Sequence, residues 1–228
     1  MNDQYDWPGG REAMLRFGPA TGPVVIAVMP LFEEANRTRA FIVTVLRALA
    51  DRGIASVLPD LPGTGESVID TEDASLNDWN IAISSLTENI GAERGAVHGI
   101  AVRGGALIDA PFASRWHFAP IPGESLVRDL LRTRLTGKDS ADDAIELSGP
   151  PVELAGNRLS RTLLAQLKAT VPVGTMPLRT VRLDSDTQAA DRHVPGSPLW
   201  RRSEPDNDPA LARLLADDIA AWIATCGG

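Results

Sequence analysis

One stretch of the sequence, Ala96–Leu107, has the pattern of a catalytic turn: a short apolar strand, a glycine turn and then a helix. Turns of this kind, written Gly-x-Ser-x-Gly, hold the attacking serine of many hydrolytic enzymes at their tip. The strand and helix backbones nearly touch there, so the residues two before and two after the tip must be small. With Arg103 at the tip, those residues are Ala101 and Gly105, and both are small. With Ala101 at the tip, one of them would be Arg103, which would clash. The spacing therefore places Arg103 at the tip.

Arg103 cannot act as a nucleophile, because a guanidinium stays protonated at any ordinary pH. An unpaired charge buried at such a turn costs several kcal/mol, so carboxylates or carbonyl groups must lie within its reach. The loop after an earlier strand normally lies beside this tip, and here that loop holds Glu33 and Glu34. We predict that one of the two, with Glu34 favoured, forms a bidentate pair with Arg103. The pair is either purely structural or part of an anion-binding or polar ligand pocket.

Three further residues could complete an acid–base pair. Asp184 and Asp186 follow a late strand, and His193 follows both, which is the hydrolase order of acid and then base. No serine stands at the tip to be activated by them. His193 is therefore either a working base in a non-standard enzyme or a surface histidine.

The loop that begins at Asp60 offers two other chemistries. Its glycines, Gly63 and Gly65, could approach a phosphate, but no Lys-Ser/Thr pair follows them as in a P-loop. Ser67 could serve as a substitute nucleophile, although the sequence places no histidine beside it. A structural turn is the third reading of this loop.

Composition excludes several classes of partner. The chain has 228 residues and a net charge of -8, which argues against nucleic acid and anionic membrane surfaces because both require basic patches. Cys226 is the single cysteine, so a disulfide within the chain is excluded, and no metal site or cofactor motif is found. No apolar run approaches the roughly 20 residues of a membrane span, and the start of the chain lacks a signal core. We expect a cytoplasmic protein.

Strand and helix patterns alternate along the chain, which favours an α/β fold with an open, mainly parallel sheet and helices on both faces. Residues 1–228 are expected to form one domain, with a lid or excursion at 136–151. Asn36 is the predicted cap of the first helix, and a helix is expected directly after the glycine turn. The strands are predicted at 12–17, 24–29, 54–58, 116–119, 152–155 and 178–183, besides the strand of the turn. The other helices are predicted from 77, at 124–135 and 159–167, and after the cap Asp208.

Several of these segments resemble one family, the exosortase A system-associated hydrolases, in particular their second type. The resemblance covers about residues 24–135 and 195–204. The first matching motif is Pro30, Phe32, Glu33-Glu34 and Asn36, followed by Arg37 or Arg39, and the second is Asp60-Leu61 followed by Gly63, Gly65 and Ser67. The third is the elbow Ala101–Leu107. The remaining three are Phe118-Ala119-Pro120, Leu131-Arg132-Thr133-Arg134, and Pro195–Trp200 with Glu204.

The resemblance implies an α/β-hydrolase-like three-layer sandwich that works beside exopolysaccharide synthesis and protein sorting. Its pocket residues would be Arg103, Gly104 and Gly105 at the elbow, with Phe32, Glu33, Glu34 and Asn36 in the preceding loop.

Three hypotheses about the function of the chain follow. The chain is a degenerate hydrolase that binds a small polar or acyl ligand or a partner protein, an active esterase or thioesterase with a non-standard nucleophile, or a scaffolding component of a polysaccharide or sorting system.

Overall fold

The computed structural model describes residues 2–134 and 149–227. Within these residues the chain forms ten strands and five α-helices. The strands are β1 (Asn2–Trp7), β2 (Gly10–Phe17), β3 (Val24–Val28), β4 (Ala55–Pro59), β5 (Val97–Val102), β6 (Ser114–Phe118), β7 (Val152–Leu154), β8 (Asn157–Leu159), β9 (Leu178–Leu183) and β10 (Arg192–Val194). The helices are α1 (Glu33–Ala50), α2 (Leu76–Arg94), α3 (Gly123–Arg134), α4 (Arg161–Ala169) and α5 (Pro209–Thr225).

Eight strands form one sheet in the order β1-β2-β4-β3-β5-β6-β9-β10. In this sheet, neighbouring strands pair in parallel through β4, β3, β5, β6, β9 and β10. At the edge beside β4, β2 pairs antiparallel with β4, and β1 pairs antiparallel with β2. The central strands β3, β4 and β5 are buried at every residue. Strands that are buried throughout need a covered surface on both sides, and together with the parallel pairing this confirms the predicted mainly parallel sheet.

Helices cover both faces of this sheet. On one face, α1 and α5 pack against the sheet through side chains such as Phe41, Leu46 and Leu215. On the other, α2, α3 and α4 pack through side chains that include Trp79 and Leu163. The result is a three-layer sandwich, as predicted. None of the described helices is both long enough and apolar enough to cross a membrane.

The structure corrects four expectations about elements. The first helix begins at Glu33 rather than after a cap at Asn36, because the chain turns sharply at Phe32, whose φ is 58°. The residues after the glycine turn form only a 3₁₀ turn, Arg103–Leu107. No strand was predicted before residue 12, but the polar residues of β1 form a strand that pairs with β2. The strand predicted at 152–155 is β7, and it pairs with the unpredicted strand β8 in a separate hairpin. A further expectation, the excursion at 136–151, stays a prediction, because these residues lie outside the described ranges except for the last three.

Candidate functional site

Arg103 lies at the tip of the turn between β5 and the 3₁₀ turn. Its φ of 55° is in the left-handed region, which a non-glycine residue adopts at a cost of about 1–3 kcal/mol. A Cβ at Gly105 would lie 2.4 Å from the backbone oxygen of Met29, so only glycine fits two residues after the tip. Ala101, two residues before the tip, is buried. The sequence argument from small residues therefore assigned the register correctly.

The predicted ion pair is present. The Arg103 side chain is 9% exposed and donates from Nη2 to Oε1 of Glu34 at 3.0 Å and from Nε to Oε2 at 3.2 Å. Glu34 lies in the first turn of α1, where the helix dipole favours a negative charge. Burial raises the pKa of the Glu34 carboxyl, and the Arg103 charge opposes that rise. Glu33, in contrast, points to Arg37 at 3.2 Å.

Two other groups fix the guanidinium of Arg103. Its Nη1 donates to the Ala119 carbonyl oxygen at 3.4 Å. Its Cζ lies 4.7 Å from the ring centroid of Trp200, a cation–π distance. Trp200 itself is held by the edge of Phe118, with ring centroids 5.8 Å apart. The cation is therefore held by a carboxylate, a carbonyl and an indole ring.

The short 3₁₀ turn after Arg103 removes a feature that nucleophile turns normally have. A long helix in this place would point its positive dipole end at the tip, which stabilises an anion and disfavours a cation. Here Gly104 and Gly105 favour helix poorly, and β6 begins only a few residues later. The backbone at the tip is thus suited to the positive charge of Arg103.

The predicted acid and base residues are not brought together. His193 lies on the exposed edge strand β10, and its Nε2 hydrogen-bonds to the Gln188 carbonyl oxygen at 3.1 Å. Asp186 accepts from Nη1 of Arg182 at 2.7 Å. Within the described residues, no hydrogen bond joins His193 to Asp184 or Asp186.

Asp186 nevertheless contributes to the electrostatics around Arg103. Partial burial opposes its ionisation, but hydrogen bonds from the Gln188 N–H and from Arg182, together with the Arg103 charge, lower the pKa of its carboxyl. Asp186 follows β9 and Trp200 follows β10. The segments after β5, β9 and β10 thus supply Arg, Asp and Trp, in the chain order in which a hydrolase supplies Ser, Asp or Glu, and His.

A cleft of about 380 Å³ opens above Arg103, and we call it the elbow cleft. Its rim and floor carry four arginines, two aspartates and several hydroxyl and amide groups, and its walls are apolar. The polar residues are Arg103, Arg128, Arg132, Arg201, Asp129, Asp186, Ser125, Ser185, Thr187 and Gln188, and the apolar ones are Ala119, Ile121, Leu183, Pro198 and Trp200.

A second, larger cavity of about 450 Å³ lies over β3 and β4 and does not include Arg103. The predicted pocket residues Phe32 and Asn36 line this cavity instead of the elbow cleft. Ser67 lies there too, but its Oγ accepts hydrogen bonds from the backbone N–H groups of Gly63 and Ile69, at 2.9 and 3.2 Å. Both contacts occupy the lone pairs that a nucleophile would need, so Ser67 stabilises the loop.

The Asp60 loop also lacks a phosphate cradle. The Asp60 carboxylate fills the space beside Gly65, where an added Cβ would lie 2.3 Å from Oδ2, and it accepts from the Glu66 N–H at 3.0 Å. A phosphate would meet this negative charge. The structural turn is therefore the reading that the geometry supports.

The sequence analysis quoted Arg132 as part of the Leu131-Arg132-Thr133-Arg134 motif but did not place Arg128, Arg132 or Arg201 at the elbow. Arg128 and Arg132 are four residues apart on α3 and therefore share one face of that helix, a spacing that could have been noticed. Arg201 follows the last strand of the sheet, and only the fold brings it to the elbow.

Comparison with known proteins relates the chain to hydrolases by fold alone. No protein-family model matches it, and no curated protein matches it. The structure is similar to that of Est1E from Butyrivibrio proteoclasticus, with a TM-score of 0.61, 14% identity, and coverage of 99% of this chain and 98% of that one. It is also similar to a hypothetical protein from Pseudomonas aeruginosa, with a TM-score of 0.60, 15% identity, and coverage of 99% and 92%.

A thermophilic esterase from Thermogutta terrifontis gives a TM-score of 0.57 at 12% identity, with 99% of both chains covered. At such identities the likeness establishes the fold, which is that of the α/β-hydrolases. The narrower resemblance to exosortase-associated hydrolases stays a prediction.

Proposed function

We propose that this chain is a ligand-binding protein on an α/β-hydrolase fold, without serine-hydrolase chemistry, and that a small polar or acyl molecule occupies the elbow cleft. The observation that carries the proposal is the guanidinium at the tip of the turn. Arg103 stands where the attacking atom of a hydrolase would be, and it is held by Glu34 and Trp200. A group that stays protonated can bind and orient a ligand but cannot attack one.

Two further features support the proposal. The described residues place no imidazole in the lining of the elbow cleft, so a serine there would have no nearby general base. Arg103 adopts a strained backbone although it is not a glycine, and strain of this kind is concentrated at functional sites, which favours a working site over a purely structural turn.

Hydrolysis can be tested directly on the native chain. The chain is incubated with a fluorophosphonate probe and its intact mass is measured, and a panel of aryl esters and thioesters is assayed in parallel. We expect an unchanged mass and no turnover above the buffer rate. Labelling that disappears when one particular serine is replaced would establish an active hydrolase with a non-standard nucleophile and contradict the proposal.

The biological setting is proposed from the sequence resemblance alone. The Glu33-Glu34 loop and the elbow arginine resemble those of exosortase-associated hydrolases, which favours a ligand or protein partner from an exopolysaccharide or protein-sorting system. Affinity capture from the native cell tests this: recovery of such components supports the setting, and their absence from repeated captures would contradict it.

A further inference from the structure

We infer that the ligand of the elbow cleft is a small organic dianion, of the dicarboxylate or phosphate monoester class; this inference rests on the proposed function. The first support is the charge of the site. Five arginines line the cleft or lie directly behind it, against three carboxylates, an excess of two positive charges. The arginines are Arg103, Arg128, Arg132, Arg182 and Arg201, and the carboxylates are Glu34, Asp129 and Asp186.

The second support is that this excess lies on particular side chains. Arg103, Arg182 and Arg132 each have a carboxylate partner. Arg128 donates to the neutral Ser125 Oγ at 3.0 Å. The Arg201 side chain has no hydrogen bond or ion pair with any residue of the described ranges 2–134 and 149–227. Arg128 and Arg201 are thus the two cations that a doubly charged ligand would neutralise.

The third support is the unused capacity of Arg103. A guanidinium has five N–H groups. Glu34 accepts the Nε–H and one N–H of Nη2, and the Ala119 carbonyl accepts one N–H of Nη1, so three of the five are used. One N–H on each terminal nitrogen has no acceptor in the described part of the chain. Two such donors on one fork can hold two oxygens of a single carboxylate or phosphate.

The remaining lining fits the rest of such a ligand. Ser185, Thr187 and Gln188 offer uncharged hydrogen-bonding groups at the rim, and Ile121, Leu183 and Trp200 form an apolar wall. The whole chain carries a charge of -8, so a positive cleft on it selects anions locally instead of attracting them over the entire surface.

Calorimetric titration of the native chain at low ionic strength tests the inference. The probes are succinate and phenyl phosphate as dianions, butyrate as a monoanion and succinamide as a neutral isostere. We expect at least one dianion to bind about tenfold or more tightly than butyrate and succinamide. Butyrate can neutralise only one of the two unpaired cations, and succinamide makes neutral hydrogen bonds, which are about half as strong as charge-assisted ones. The preferred dianion then identifies the carboxylate or the phosphate class.

Two neighbouring variants provide the matched control. Arg201→Gln removes an unpaired cation of the cleft, whereas Arg202→Gln makes the same change in net charge on a side chain that pairs with Asp206 and does not line the cleft. We expect Arg201→Gln to weaken dianion binding about tenfold and Arg202→Gln to leave it within about twofold. Equal losses in the two variants would overturn the inference.

Other outcomes separate this inference from the proposed function. If succinamide binds as tightly as succinate, the dianion class is wrong while the ligand-binding role stands. If none of the four probes binds, the dianion inference is overturned. Labelling by the fluorophosphonate probe would contradict the proposed function, whichever probe binds.

Discussion

The properties of the elbow depend on one buried charge and on the groups that hold it. Arg103 is enclosed, so its positive charge is tolerated only with a carboxylate beside it. Glu34 provides that carboxylate, and its place in the first turn of α1 fixes it at the tip. A side chain that is this strongly held is pre-organised for a ligand, because little freedom remains to be lost on binding.

Replacing the partner carboxylate should destabilise the protein strongly. In Glu34→Gln the buried guanidinium loses its counter-charge, so we expect the free energy of unfolding to fall by about 3 kcal/mol. Glu33→Gln is the matched control: it makes the same charge change one residue away, on a more exposed i,i+4 pair, and should cost about 0.5 kcal/mol or less. Urea denaturation of both variants measures the difference. Equal losses would show that the Arg103 pair contributes no more than a surface pair.

At this scale, local spacing allowed part of the site to be predicted. The small residues around Arg103 identified the tip, and the requirement for a counter-charge pointed to Glu34. The contact of Arg103 with Trp200 and the place of Arg201 in the elbow cleft could not be predicted, because they depend on where the segment after the last strand lies in three dimensions. His193 was proposed from its order in the chain, and order alone does not fix the distance between two side chains.

At the scale of elements, the elbow is defined by how closely the 3₁₀ turn approaches β3. The Cβ missing at Gly105 would lie 2.4 Å from the Met29 oxygen and 2.6 Å from the Val28 oxygen. The sequence indicated this close approach through its glycine. It did not indicate that the following helix would be replaced by a 3₁₀ turn, because that depends on the distance along the chain to β6 and not on periodicity.

Adding a methyl group at the two elbow glycines should have unequal effects. Gly105→Ala forces the 3₁₀ turn away from the β3 backbone, and we expect a loss of about 2–3 kcal/mol, equivalent to a fall in Tm of roughly 4–12 °C. In Gly104→Ala the nearest atom is a flexible methyl of Leu126 at 3.2 Å, so the loss should stay below about 1 kcal/mol. Thermal denaturation distinguishes the two. A larger loss for Gly104→Ala would contradict the register with Arg103 at the tip.

At the scale of the whole molecule, one buried carboxylate ties the last helix to the sheet. The Asp218 carboxylate on α5 accepts hydrogen bonds from Trp116 on β6, from Nε and Nη2 of Arg179 on β9, and from Arg192 on β10, at 2.7 to 2.8 Å. Burial opposes its ionisation, but these hydrogen bonds outweigh it and hold the pKa of Asp218 at about 2. This network positions the β9 and β10 segments that frame the elbow cleft.

The pH dependence of stability should report on this network. Because the native pKa of Asp218 is below that of the unfolded chain, its contribution is complete above about pH 5 and is lost as the pH falls toward 2. Asp218→Asn should therefore cost about 2 kcal/mol at neutral pH, roughly half of that at pH 3 and little at pH 2. Asp217→Asn, on an exposed pair with Arg52, should cost about 0.5 kcal/mol or less. Urea denaturation across this range checks both, and a pH-independent difference for Asp218→Asn would refute the assignment.

The overall architecture was predictable from the sequence because long apolar runs identify buried parallel strands. The central strands, the covering helices and the Asp208 cap of α5 were expected and are present. β1 was not expected, because Asp3, Gln4 and Asp6 are poor strand formers. It forms through pairing with β2 and through Tyr5, whose hydroxyl donates to the Asp60 carbonyl at 2.7 Å. Such tertiary stabilisation leaves no periodic signal.

The most direct test of the account removes the charge at the tip while keeping the core filled. In the double variant Arg103→Met, Glu34→Leu, an ion pair is exchanged for apolar side chains of similar volume, a change that folded proteins often tolerate. Calorimetry with the dianion that binds the native chain gives the answer, after circular dichroism has shown that the variant is folded. The account predicts a folded protein whose affinity is reduced about tenfold or more. A folded variant with unchanged affinity would show that Arg103 is not the binding group of the elbow cleft.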